Sequence, residues 1–181
     1  MKQKILEVLD IPAGINCSYQ SGMLKCSKDS NEVSRHIDLP GTILSLEENK
    51  ISLSCKAGNK NDLKTIKSYA AHIRNLFSGL ANKFVYSLEA CNVHFPMTLK
   101  QEPGKLIITN FLGEKIPREA IILPNVDVVV KGVKITVSSH DREAAGQTAA
   151  NIERATKIRN RDRRIFQDGI FITEKGSGVK A

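Results

Sequence analysis

Along this chain, apolar and polar residues alternate with a period of two through several short stretches, and twice the alternation gives way to helical spacing. Alternation marks a half-buried strand, and recurrence at three and four residues marks a helix with one apolar face. In the first eighty residues, Ile15 to Tyr19, Met23 to Lys28 and Val33 to Leu39 are predicted strands, with Ser21-Gly22 and Asp29-Ser30-Asn31 as turns. Pro40-Gly41 breaks the pattern. Ile43, Leu44 and Leu46 form a further strand, Glu47 to Lys50 turns, and Ile51, Leu53 and Cys55 return. Gly58 to Asn61 reads as a loop. Asp62 is positioned to cap a helix that carries Leu63, Ile66, Ala70, Ile73 and Phe77 on one side.

The order then recurs. SGMLKC at 21–26 lies over PGKLII at 103–108, and KISLS at 50–54 lies over KITVS at 134–138. IDLP at 37–40 matches IILP at 121–124, so the second copy gains two residues in between. The same offset carries the helix at 62–77 onto 146–161. Agreement in punctuation and in the switch from strand to helix, over about sixty residues, signals an internal duplication. The predicted class is therefore α+β, in two tandem duplicated domains, each an antiparallel β-sheet with one α-helix packed on a face. Phe84 to Ala90 leads out of the first helix, which puts the boundary near residue 82: residues 1–82 as the first repeat and 83–181 as the second.

In the second copy, Val133, Ile135 and Val137 alternate with Lys134 and Thr136 as a strand. Ser138 and Ser139 are placed to cap a helix whose first turn holds Asp141 and Glu143. Ala145, Ala149, Ile152 and Thr156 make one small side that can approach a sheet closely, and the helix runs out near Asn160, a residue that tolerates the left-handed conformation. Ile165-Phe166, a Gln167-Asp168-Gly169 turn and Ile170-Phe171-Ile172 predict a final hairpin. Glu174 to Ala181 reads as a loose tail.

Charge changes the picture at this point. The 181 residues carry a formal net charge of +8, which favours an anionic partner. Much of that charge is concentrated: Lys157 to Arg164 holds five Lys or Arg and one Asp. One or two cations complement a helix C-terminus, but five in eight exceed that role. Arginine outnumbers lysine four to one here, as suits bidentate phosphate contacts. Arg154, Lys157, Arg159, Arg161, Arg163 and Arg164 are accordingly the leading candidates for contact with RNA. If the segment is extended, Arg159, Arg161 and Arg163 share one side, with Asp162 orienting a neighbouring arginine. The first helix ends in Asn75-Leu76-Phe77-Ser78-Gly79, almost uncharged, so only one copy of the scaffold acquired a basic edge.

Weaker candidates surround that edge. His140 and Arg142 sit at a helix amino end, where backbone N–H groups also hold phosphate. Ser139 is a cap or a contact. Lys115 and Arg118 flank Ile116-Pro117 and are solvated charge or contacts, while Lys175 and Lys180 can reach RNA from the tail. Gly113, Gly132 and Gly169 serve turns. Aromatics make up 5% of the chain, with no Trp, which argues against recognition by stacking bases on an aromatic platform.

The four cysteines, Cys17, Cys26, Cys55 and Cys91, form no C-x-x-C pair, so neither structural zinc nor a thioredoxin-like motif is supported. They read as reduced cytosolic thiols serving as small core residues, Cys91 among them in the segment between the domains. The opening MKQKILEVLD has an apolar part too short for a signal peptide, and no apolar run reaches membrane-spanning length. Cys91-x-x-His94 offers a nucleophile and a base only by spacing, and there is no phosphate-binding glycine loop, no metal-spaced histidine cluster and no cofactor motif. An enzyme is not the expectation.

IPAGI at 11–15, FLGEKIPREAIILP at 111–124, the double strand from Val126 to Val137, TAANIE at 148–153 and RDRRIFQDGIF at 161–171 resemble large-ribosomal-subunit protein six in its archaeal and eukaryotic form. The resemblance covers nearly the whole chain, and Phe111 to Phe171 is its most specific part. It implies two tandem domains, a carboxy-terminal half that contacts large-subunit ribosomal RNA in the cytoplasm, and neighbouring ribosomal proteins as partners. It also implies a place near the sarcin–ricin region, where translational GTPases dock. The bacterial branch has a Gly- and Lys-rich segment near its end where this chain has QDGIFITEKGSGVKA, so the contacts of that segment do not carry over. The rival readings are a non-ribosomal RNA-binding or protein-interaction adaptor, in which charge serves solubility, and a Cys-dependent hydrolase built on Cys91.

Overall fold

The computed structural model describes residues 3–29, 31–37, 41–47 and 49–176; Ser30, Pro40, Lys180 and the rest of the final segment lie outside the described residues. The chain divides into two compact units, Met1–Asn82 and Lys83–Ala181.

The first unit runs β1 (Gln3–Asp10), β2 (Asn16–Gln20), β3 (Met23–Lys28), β4 (Asn31–His36), β5 (Ile43–Glu47), β6 (Lys50–Gly58) and α1 (Lys60–Ala81). The second repeats that order as β7 (Phe84–Cys91), β8 (Thr98–Glu102), β9 (Lys105–Thr109), β10 (Arg118–Ile121), β11 (Asp127–Lys131), β12 (Lys134–Ser139) and α2 (Arg142–Ala155), then adds β13 (Gly169–Glu174). The class is α+β with tandem copies, as the pattern predicts. Within each unit the antiparallel strands divide between two sheets. The first has β1-β6-β5 and β2-β3-β4; the second has β11-β12-β7-β13 and β10-β9-β8.

Register shows that the copies are built alike. Leu9 pairs with Ile51 in the first unit, and Leu88 pairs with Ile135 in the second. In each case the paired side chains are buried under the helix of that unit, among Ile66, Ala70 and Ile73 in one and Ala145, Ala149 and Ile152 in the other. Gly146 brings α2 close to β7: a Cβ there would stand 3.0 Å from the Tyr86 hydroxyl.

Several boundaries differ from those the sequence predicts, each for a local reason. β1 has no visible alternation because Ile5 and Leu9 turn inward while Leu6 and Val8 remain exposed, so both of its faces are apolar. The cap of α1 is Asn59, not Asp62. The Asn59 side chain accepts from the N–H of Asn61 and Asp62, and the Asp62 carboxylate accepts from the Asn59 N–H, a capping box. The cap of α2 is Asp141, which accepts from the Glu143 N–H. Ser138 and Ser139 belong to β12, and the buried Ser139 hydroxyl donates to the Asn125 carbonyl at 2.7 Å. Asn160 does adopt the left-handed conformation, at φ 55°, but α2 has already ended at Ala155. The final hairpin does not form: β13 pairs with β7, from Gly169 opposite Cys91 to Glu174 opposite Ser87.

Candidate nucleic-acid interface

α2 ends six residues before the repeat alignment would end it, and the reason lies in its last turn. Thr156 is buried, its hydroxyl donates to the Glu153 carbonyl, and its oxygen accepts the Ile170 N–H at 2.8 Å. The guanidinium of Arg118 donates to the carbonyls of Ala155 and Lys157 at 2.9 and 3.3 Å, groups that a helix end leaves without partners. Arg118 is itself held bidentately by Glu114, at 2.7 and 2.6 Å, and lies 4.3 Å over the Phe111 ring. That hydrogen bond keeps the Glu114 carboxyl below its ordinary range against some burial, and the charges of Arg118 and Arg161 act in the same direction. Arg118 is thus committed within the fold. From there it shapes the start of the basic edge.

Beyond Thr156 the chain turns irregularly as far as Asp168, so the extended alternation of Arg159, Arg161 and Arg163 does not occur. Asp162 organises this turn through its backbone. Its carboxylate accepts the Arg164 N–H at 2.9 Å and pairs with the Arg164 guanidinium at 3.8 Å, as the sequence suggests, and its carbonyl accepts from Ile165 and Phe166. The turn sends the arginines in different directions. Arg163 joins Arg154 and Lys157 around a cleft of about 530 Å³, whose floor includes Thr156, Ile158 and Phe166. Arg161 lies 4.6 Å from the centre of the Phe166 ring. Arg159 and Arg164 are exposed. Among the described residues, Lys157, Arg159 and Arg163 form no ion pair. Of the two acids in the cleft, Glu153 accepts the Ile172 N–H and helps anchor β13, and Asp168 is bonded to the loop after β7.

Sequence reasoning missed the residues that hold this turn in place. Asp168 is 1% exposed and accepts from the N–H groups of Val93 and His94, both at 2.9 Å, and from His94 Nδ1 at 2.6 Å. An ionised carboxylate only accepts, so the proton of that last bond sits on His94 Nδ1. Burial disfavours the charge on Asp168, yet these bonds from His94 and Val93, with the charge of His94, hold its carboxyl below the usual range. Stacking adds a second restraint: the His94 ring lies against Phe166 at 4.9 Å and 23°. The signal available in the sequence was Asp168-Gly169, which reads as a turn unless the buried partner is known. His94 therefore serves Asp168 and Phe166, not the exposed Cys91.

The weaker candidates lie elsewhere. His140 and Arg142 are at the start of α2, whose 14 residues set them about 20 Å from its exit. Arg142 lies 5.8 Å from the Phe84 ring. Lys115 is exposed in the loop beside Glu114, and Lys175 is exposed at the end of β13. No group of three or more metal-binding side chains occurs among the described residues, and no described helix is long and apolar enough to cross a membrane.

The family model for Ribosomal protein L6 matches residues 100–169, a span that holds α2 and the whole basic turn. Over 175 residues the chain is 37% identical to the large ribosomal subunit protein uL6 of Methanococcus vannielii, covering 97% of this chain and 96% of that protein. It is 38% identical, also over 175 residues, to the large ribosomal subunit protein uL6 of Methanothrix thermoacetophila, covering 97% and 99%.

Proposed function

This chain belongs to the uL6 family of large ribosomal subunit proteins, and we propose that it binds large-subunit ribosomal RNA through the basic turn that follows α2. The observation that carries this reading is the convergence of Arg154, Lys157 and Arg163 on one cleft, with Arg159 and Arg164 exposed beside it. Both acids of the cleft are engaged elsewhere, Glu153 with the Ile172 N–H and Asp168 with His94, so the three cations repel one another, and a run of phosphates relieves that repulsion while releasing its own counterions. Arginine adds fixed bidentate geometry, so the turn sets register on the phosphate backbone as well as affinity. Lys115 and Lys175, exposed elsewhere on the second unit, and Lys180 in the final segment are further candidate contacts. The family is a structural one, without catalytic activity of its own.

We also assign to this reading a position near the sarcin–ricin region, with neighbouring ribosomal proteins and docking translational GTPases as partners; family resemblance supports it. Sedimentation tests the assignment. The full chain added to large subunits depleted of their own copy is expected to co-sediment with them and to be released by salt. A chain that binds equally well to small subunits, or whose binding ignores salt, sinks the proposal.

A further inference from the structure

We propose that Cys17 and Cys26 are a reversible disulfide site that reacts with low-molecular-weight disulfides. The two sulfurs lie 3.0 Å apart on neighbouring strands, and no bond joins them. The hairpin explains why they meet. Ser21 and Gly22 both have positive φ, 49° and 79°, the signature of a two-residue type I′ turn. Such a loop closes on a hydrogen-bonded pair, here Gln20 and Met23. Pairs alternate outward from it, so Cys17 and Cys26, three steps on, form a non-hydrogen-bonded pair with Cα atoms about 4.5 Å apart. That separation is at the short end of the range a disulfide spans.

The environments of the two thiols differ in the way exchange requires. Cys26 is fully buried beneath α1, whereas Cys17 is half-buried at the margin of the same core cluster. The buried sulfur is the worse place for charge, so the shared proton sits on Cys26. The hydrogen bond it donates lowers the Cys17 pKa against partial burial; the same bond, then burial and the Cys17 charge, raise that of Cys26. The Cys17 thiolate attacks one sulfur of the incoming disulfide, the S–S bond breaks, and one thiolate leaves. Cys26 then loses its proton to that leaving thiolate and attacks the Cys17 sulfur, forming the internal disulfide and expelling the second thiolate, which is protonated from water. The sum is two protein thiols oxidised and one small disulfide reduced to two thiols. The half-buried Cys17 sulfur leaves the product open to attack by a small thiol, which reduces it again.

Glutathione disulfide is the probe. The full chain is equilibrated in buffers of rising oxidised-to-reduced glutathione ratio, quenched with acid, alkylated and mapped by mass spectrometry. The wild type is expected to lose two of its four alkylatable thiols to a linked 17–26 peptide and to recover both in excess reduced glutathione. Cys91, exposed, is expected to stop at a mixed disulfide. Cys26→Ala is expected to trap glutathione on Cys17, and Cys17→Ser, at the half-exposed position, to leave Cys26 unmodified. A wild-type chain in which Cys17 stops at the mixed disulfide, or in which both sulfurs stay reduced while Cys91 reacts, overturns the proposal.

Discussion

Asp168 accepts the Nδ1–H of His94 at 2.6 Å, and with the N–H groups of Val93 and His94 this bond ties the start of β13 to the loop that follows β7. Because Phe166 stacks on the same imidazole and Arg161 lies over Phe166, the position of a surface arginine depends on a buried carboxylate. Asp168→Ala leaves three donors short of an acceptor and is expected to cost about 3 kcal/mol in denaturant unfolding. Asp168→Asn keeps an acceptor for the two backbone groups and is expected to cost about half as much.

The pH dependence of that difference is a separate check. A native carboxyl held below its unfolded value, about 3.9, stabilises fully above that value and loses the contribution as pH falls through the native one. The stability gap between wild type and Asp168→Asn should therefore close as pH falls below about 4. A gap that keeps widening below that pH would show that Asp168 is not ionised in the native state.

Arg118 provides a test that separates shaping from contact. Arg118→Ala should destabilise the second unit by about 1–3 kcal/mol, since the Ala155 and Lys157 carbonyls and Glu114 are all left without their donor. RNA affinity should fall as the turn loosens, while the slope of log affinity against log salt stays at the wild-type value. A reduced slope would place Arg118 on phosphate after all.

The cleft cations should behave in the opposite way. Changing Arg154, Lys157 and Arg163 to Gln should weaken ribosomal RNA binding and lower the salt slope by roughly 0.7 to 0.9 for each phosphate no longer neutralised. Lys60, Lys64 and Lys67, exposed on α1, remove the same charge when changed to Gln. Filter binding across a salt series should find the α1 variant close to wild type. Equal weakening in the two variants would mean that only net charge matters.

Residues 83–181 expressed alone should fold, because the second unit contains its own two sheets, helix and buried cluster. The measurement is a thermal melt followed by circular dichroism, with a single cooperative transition expected. A fragment ending at 168 should fail this test, since it deletes β13 and the fully buried Ile170.

The sequence by itself determined the duplicated α+β order, because period-two and helical spacing are local and the turns between them fall at matching places in both copies. It also located the basic edge, since five cations in eight residues need no partner to be noticed. What it could not show was how that edge is presented. Arg163 lines the cleft, Arg161 lies over Phe166, whose ring is stacked on the distant His94, and Arg118 reaches a helix end almost forty residues on. β1 escaped notice because both of its faces carry apolar side chains, and the sheet that buries one of them is completed by β6, forty residues later. Asp168-Gly169 reads locally as a turn and becomes a buried anchor only when β13 docks on β7 and brings His94 within reach. Local spacing records which face of an element is apolar; hydrogen bonds between distant segments decide where its charged side chains point.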